Sequence, residues 1–125
     1  MPELDSHSDL ITHARHEGET LLLTLAGEVD LNLSNDLRTA LFALIQKTKV
    51  RQMVMNLSAV PYMDSSAMAV LLESMQKLRR LGGKVYLTHA QPRVKGLIEM
   101  AKLDTIFGVY ASEADALKAI AGAAV

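Results

Sequence analysis

The stretch that decides the fold is residues 53–81, MVMNLSAVPYMDSSAMAVLLESMQKLRRL. Its first five residues form a short apolar run, which is typical of a strand that is covered on both faces. Pro61 then predicts a turn. Beyond the turn, apolar residues recur at the spacing of a helix with one core face and one solvated face, and these are Met68, Leu71, Leu72, Met75 and Leu78. The pair Gly82-Gly83 predicts the end of that helix.

Asp64 stands where the helix is predicted to start, so its carboxylate can accept hydrogen bonds from the free N–H groups of the first turn. Ser65 and Ser66 follow in that turn, just past the end of a strand. A phosphate there would meet the positive end of the helix and the negative charge of Asp64. The pattern is compatible with a phosphoryl acceptor, although serine is also common at helix starts without any further role.

Before this stretch, the chain predicts a hairpin and a helix. The hairpin has a weak strand, a turn and a stronger strand, at residues 10–15, 16–19 and 20–26. A tight turn between two such runs predicts antiparallel pairing. The helix that follows is predicted to be capped by Asn32 or Ser34 and to have Leu33 on its apolar face.

After the glycine pair, the pattern predicts a strand at 84–88 and a helix opened by Pro92. A short strand at 106–109 and a last helix, capped by Ser112 and ending near Ala121, complete the chain. Strands and helices thus alternate after an opening hairpin. This order predicts an α/β fold with a mixed sheet that is parallel in its middle.

In such sheets, binding sites lie beyond the carboxyl ends of the strands. Asp30 follows the strand at 20–26, and Ser65 follows the strand that begins at Met53. If those strands are parallel neighbours, the two loops share one edge of the sheet. His89, after the strand at 84–88, is a further candidate at that edge.

Composition bounds the class of protein. The 125 residues predict one domain at 10–121 after a loose tail at 1–9. Half of the residues are apolar and 22% are charged, as in a globular chain. A net charge of −1 and the absence of tryptophan argue against a nucleic-acid or anionic-membrane partner. The absence of cysteine excludes disulfides, thiol catalysis and thiolate metal sites.

The absence of other sequence signals narrows the range of possible functions. No apolar run reaches the roughly 18 residues that span a bilayer, and the polar start MPELDSHSDL does not match a secretory signal. A cytoplasmic protein is the simplest interpretation. The histidines have no metal-ligand spacing, and the chain lacks a Gly-x-Ser-x-Gly elbow. We therefore expect a protein that is not an enzyme and has no metal or cofactor.

The run NLSAVPYMDSSAMAVLL, residues 56–72, resembles the signature of STAS domains, specifically the bacterial anti-sigma factor antagonists. Three other landmarks resemble this family in the same order, namely GEVD at 27–30, GGKV at 82–85 and PRVKGLI at 92–98. Four landmarks in order are far more specific than an Asp-Ser-Ser motif alone. The chain departs from the family at Ala67 and Ala69, where glycine is common, and at Asn56, where aspartate is frequent.

The resemblance implies the STAS fold, a four- to five-stranded mixed sheet with an N-terminal antiparallel hairpin and about four helices. It also implies a partner-switching function. The unphosphorylated protein would bind an anti-sigma factor serine kinase, which carries Mg-ATP, and would release it once phosphorylated. A serine phosphatase would reset the switch.

The family's phosphorylated serine matches Ser65, with Ser66 as the alternative acceptor. The resemblance places the partner-binding residues at Asp30, Asp64, Ser66, Ala67 and Met68. The alternative within the family is a STAS scaffold that is not phosphorylated, as a subunit of a lipid-transport or stressosome-like complex.

Overall fold

The computed structural model describes residues 9–123. Residues 1–8, most of the predicted tail, lie outside them. The described elements are β1 (Ile11–Glu17), β2 (Thr20–Ala26), α1 (Leu31–Thr48), β3 (Gln52–Ala59), α2 (Ser65–Arg79), β4 (Lys84–Thr88), α3 (Pro92–Met100), β5 (Gly108–Tyr110) and α4 (Glu113–Ala123). One turn of 3₁₀ helix, Leu103–Thr105, lies between α3 and β5. None of the helices within these residues is long and apolar enough to cross a membrane.

The strands form one sheet in the order β1-β2-β3-β4-β5. β1 pairs with β2 antiparallel, and every later neighbour is parallel. The prediction of a mixed sheet with an N-terminal antiparallel hairpin and about four helices is confirmed. The predicted hairpin turn was too long, because Glu17 already pairs with Thr20. Gly18, at φ +58°, allows a two-residue loop.

Two apolar layers enclose the sheet. α1, α2 and α3 pack over the face that carries Leu23, Met55 and Leu87. α4 packs over the opposite face, where Val54 and Tyr86 are buried. Met53, Val54 and Met55 have no exposed surface, which confirms a strand covered on both faces. Burial, and secondarily the nearby Tyr110, raise the pKa of Tyr86, so its phenol is neutral at neutral pH.

The core face of α2 differs from the predicted one. Leu71, Met75 and Leu78 are buried as predicted, but Met68 and Leu72 are only partly buried. The small residues Ala67 and Ser74 take core positions instead, and the Ser74 hydroxyl is satisfied by donating to the Val70 carbonyl at 3.1 Å. Small side chains let the helix approach the sheet closely, so the buried face is rotated from the most apolar one.

Two other predicted features were misplaced. Leu33 was predicted on the apolar face of α1 but is 38% exposed. The last strand was predicted at 106–109 but comprises Gly108–Tyr110, because the 3₁₀ turn at Leu103–Thr105 precedes it. Ser112 does cap the last helix, since its Oγ accepts the Asp115 N–H at 3.1 Å.

The glycine pair ends α2 and fits it against the start of β3. The Gly82 N–H donates to the Arg79 carbonyl at 3.0 Å, and the Gly83 N–H donates to the Leu78 carbonyl at 2.8 Å. Gly82 has a φ of +82°, which favours glycine. A Cβ on Gly83 would lie 1.5 Å from the Arg51 carbonyl oxygen. The backbone of Arg51 therefore occupies the space that the Cβ of any other residue would need.

Gly83→Ala should therefore lower the free energy of unfolding by about 1–3 kcal/mol, as overpacking does. Gly96→Ala is the matched control, because a Cβ there meets nothing within 4 Å. Gly96 lies inside α3, where alanine is favoured by up to about 1 kcal/mol. Urea unfolding of both variants measures the difference, and equal stabilities would contradict the packing described at Gly83.

Candidate functional site

The loops that follow β2 and β3 lie side by side at one edge of the sheet, because these strands are parallel neighbours. Val29 and Met63 form an isolated parallel bridge between the loops. The Val29 N–H donates to the Tyr62 carbonyl, and the Asp64 N–H donates to the Val29 carbonyl, each at 3.1 Å. The prediction that the loops bearing Asp30 and Ser65 share an edge is confirmed.

Asp64 caps α2 through its side chain. Its backbone is extended, and Oδ1 accepts the Ser66 N–H at 3.0 Å and the Ala67 N–H at 3.2 Å. The Ser66 hydroxyl donates to the same oxygen. The predicted role of Asp64 as a cap is confirmed, and it fixes Ser65 as the first residue of the helix.

Asp30 likewise caps the N-terminus of α1. Its Oδ1 accepts the Leu33 N–H at 3.2 Å, and its carbonyl accepts the Ser34 N–H at 2.9 Å. The prediction of Asn32 or Ser34 as the cap is wrong, because α1 already begins at Leu31. Two carboxylates thus cap two helices at neighbouring positions of one edge.

The two serines of the first turn differ in their surroundings. Ser65 is exposed, and its hydroxyl has no hydrogen-bond partner among residues 9–123. Ser66 is partly buried, and its hydroxyl is engaged by Asp64. The geometry therefore leaves the Ser65 hydroxyl accessible to a reactant from solvent and holds that of Ser66 within the cap.

Two of the residues expected to contact the partner differ in their exposure to solvent. Met68 is partly exposed on α2, so its side chain is accessible. Ala67 has no exposed surface, which contradicts its assignment as a residue that touches a partner. Its methyl group faces the core, where the small side chain supports the close packing of α2.

Contacts from Gln91 and from α3 support the end of β3 and the loop before Asp64, and they were not predicted from the sequence. The Gln91 side-chain amide donates to the Ser58 carbonyl at 2.8 Å. The Arg93 guanidinium lies 5.0 Å from the centre of the Tyr62 ring, a cation–π distance. More than 30 residues separate the members of each pair, and no local pattern signals such a contact.

A bidentate ion pair joins the two capped helices. Arg38 Nε lies 3.0 Å from Glu73 Oε2, and Arg38 Nη2 lies 2.9 Å from Glu73 Oε1. The side chains are 37% and 39% exposed, so the pair adds little stability but restrains α1 against α2. The same guanidinium also donates to the Asn35 side chain at 3.1 Å.

His89 does not join Asp30 and Ser65. Its Nε2 accepts the backbone N–H of Glu113 at 3.1 Å, which ties the end of β4 to the start of α4. No hydrogen bond links His89 to either residue within the described chain. In the same residues, no group of three or more His, Cys, Asp or Glu side chains could hold a metal ion.

The model of the STAS domain family matches residues 12–116, which is most of the chain. This chain belongs to the STAS domain family. The predicted family and the predicted STAS fold are therefore confirmed.

The chain is similar in sequence and in structure to anti-sigma factor antagonists. The chain is 29% identical over 102 residues to an anti-sigma F factor antagonist of Paenibacillus polymyxa, covering 82% of this chain and 87% of that protein. It also resembles the anti-sigma factor antagonist SpoIIAA in its unphosphorylated form, with a TM-score of 0.75, 24% identity and coverage of 87% and 95%. For the Bacillus cell fate determinant SpoIIAA in the phosphorylated form, the TM-score is 0.67, at 22% identity and coverage of 86% and 96%.

Removing the Asp64 cap should destabilise the fold measurably. Asp64→Ala leaves the Ser66 and Ala67 N–H groups without their acceptor, and we expect the free energy of unfolding to fall by about 1 kcal/mol. Asp64→Asn retains an acceptor oxygen and should lose clearly less. Urea unfolding compares the two variants with wild type, and an unchanged midpoint in Asp64→Ala would contradict the capping role.

Proposed function

We propose that this chain is an anti-sigma factor antagonist whose binding to an anti-sigma factor serine kinase is switched by phosphorylation of Ser65. The observation that carries the proposal is the exposed Ser65 hydroxyl, directly behind the Asp64 cap, in a STAS domain similar to such antagonists. A kinase that uses ATP would place the interaction in the cytoplasm. This protein would be the substrate of that chemistry rather than its catalyst.

The surroundings of the two hydroxyls favour Ser65 as the acceptor. In the transfer, the Ser65 oxygen attacks the γ-phosphorus of ATP held by the kinase. A P–O bond forms, the bond to ADP breaks, and the hydroxyl proton leaves to a base on the kinase. Attack needs an oxygen that the nucleotide can reach, and Ser65 is exposed. Ser66 would first have to give up its hydrogen bond to Asp64.

The same geometry explains how a phosphate would release the partner. A phosphoserine carries about −1.5 to −2 charges at neutral pH. The start of α2 attracts that charge by only about 0.3–1 kcal/mol, whereas the Asp64 carboxylate repels it. Enclosing the phosphate in an interface adds a desolvation cost of several kcal/mol. A net loss of about 3 kcal/mol weakens binding more than a hundredfold, so no large rearrangement is required.

The proposed partner surface surrounds this hydroxyl. It comprises Asp30, Asp64, Ser66 and Met68, together with Leu33, which is 38% exposed in the first turn of α1. Met and Leu offer adaptable apolar area, and the carboxylates are placed to meet cationic groups. Hydrolysis of the phosphoserine by a serine phosphatase would restore the uncharged Ser65 hydroxyl.

The transfer can be tested with the cognate kinase and Mg-ATP, followed by intact mass and peptide mapping. Wild type should gain one phosphate at residue 65, and Ser65→Ala should gain none. Ser66→Ala is the control, because it keeps the proposed acceptor, and it should still be phosphorylated. No phosphate on wild type would instead favour the unphosphorylated STAS scaffold, and phosphate on Ser66 would reassign the acceptor.

Charge control can be separated from steric effects with two variants of similar size. Ser65→Asp introduces a negative charge and should weaken kinase binding, by about tenfold or more if it costs at least about 1.4 kcal/mol. Ser65→Asn introduces a side chain of nearly the same volume without charge and should weaken binding much less. Calorimetric titration of both variants provides the comparison, and equal losses would show that bulk rather than charge is responsible.

A further inference from the structure

A second candidate site lies where the loops after β4 and β5 diverge. These strands are parallel neighbours, but the helices that follow them lie on opposite faces of the sheet. α3, after β4, packs on the face of α1 and α2 through Val94 and Ile98, whereas α4, after β5, packs on the other face through Ala116. Open parallel sheets characteristically bind ligands beyond the carboxyl ends of their strands, and the two loops part at that end of β4 and β5.

A cavity of about 460 Å³ opens at this point. Its volume lies within the range of small-molecule sites. The loop after β4, α3, the 3₁₀ turn and the end of β5 all contribute to its walls. The side chains that carry its chemistry are His89, Lys95, Glu99, Asp104 and Tyr110.

His89, which lines this cavity, has an unusual backbone conformation. Its φ is +54°, a left-handed conformation that is costly for a residue with a Cβ. The other described non-glycine residues with positive φ, Lys49 and Lys102, lie just after α1 and α3, where helix ends commonly adopt this conformation. His89 instead follows a strand, and strained positions of this kind concentrate at functional sites.

The cavity offers hydrogen-bond donors and acceptors that are not already paired. Because His89 Nε2 accepts the Glu113 N–H, the neutral ring carries its proton on Nδ1. That N–H has no partner among residues 9–123, and in the same residues Lys95, Glu99 and Asp104 form no ion pair. One ammonium group, one imidazole donor and two carboxylates therefore line the same space.

We propose that this crevice binds a small zwitterion of the amino-acid class. The ligand's ammonium group would meet the carboxylates of Glu99 and Asp104, and its carboxylate would meet Lys95 and the His89 Nδ1–H. An anion alone would face two carboxylates, and a cation alone would face Lys95, so a molecule with both charges matches this lining best. The Tyr110 ring supplies apolar surface for a side chain. The proposal does not depend on Ser65.

Two-dimensional ¹H–¹⁵N NMR of the full chain, titrated separately with each of the twenty L-amino acids, tests the proposal. At least one should give saturable shifts centred on residues 89–90, 95, 99, 104 and 109–111. Acetate and methylammonium, each carrying one of the two charges, should bind at least about tenfold more weakly. Absence of saturable shifts with all twenty, or equally tight binding of either single-charge probe, would overturn the proposal.

Matched variants locate the binding. Lys95→Met should weaken binding of the amino acid that shifts these residues by about tenfold or more, because it removes the partner of the ligand carboxylate. Lys118→Met removes an exposed lysine of α4 that does not line the cavity, and it should leave the affinity unchanged. The same spectra report whether each variant is folded. Equal affinity in wild type and Lys95→Met would overturn the proposal.

Discussion

The hydrogen bonds from the first turn of α2 to the Asp64 carboxylate are the constraint on which the site depends. They determine where the helix begins, and so they make Ser65 its first residue. The parallel register of β2 and β3 then determines where that first residue lies. Because the loops are joined through Val29 and Met63, the start of α2 is held beside the start of α1. Local capping and sheet register together present one hydroxyl at one edge.

The same edge carries two carboxylates that already satisfy helix N-termini. Asp30 and Asp64 each accept hydrogen bonds from the helix that follows them, so each start is already partly neutralised. A phosphate added at Ser65 would find less attraction there than at an uncapped helix, and it would have a carboxylate as its neighbour. The cap that presents the hydroxyl thus also makes its phosphorylated form unfavourable within an interface. A switch of this kind needs only a local change of charge.

Patterns that depend on neighbouring residues were predictable from the sequence. The strand at 20–26, the strand at 84–88 and the cap at Asp64 follow from apolar spacing, glycine position and residue type, and the structure has all of them. Features that depend on competition between similar residues were not predictable. Asp30, Asn32 and Ser34 are all good caps, and the choice among them follows from where the loop after β2 is pinned to Tyr62 and Asp64.

Features that depend on distant parts of the chain were also beyond local patterns. The buried face of α2 includes the small residues Ala67 and Ser74, which the spacing of its large apolar residues does not predict. The contact of Arg93 with Tyr62 joins residues 31 positions apart. The crevice beside His89 exists because α3 and α4 cover opposite faces, which alternation of strands and helices alone does not specify.

The central claim is that the charge on Ser65 decides whether the partner stays bound. The most direct measurement is the dissociation constant of the kinase for two forms of the same chain, one unphosphorylated and one phosphorylated by the kinase, determined by calorimetric titration without ATP. We expect the phosphorylated form to bind at least about a hundredfold more weakly, corresponding to about 3 kcal/mol. Equal dissociation constants for the two forms would contradict electrostatic control at Ser65.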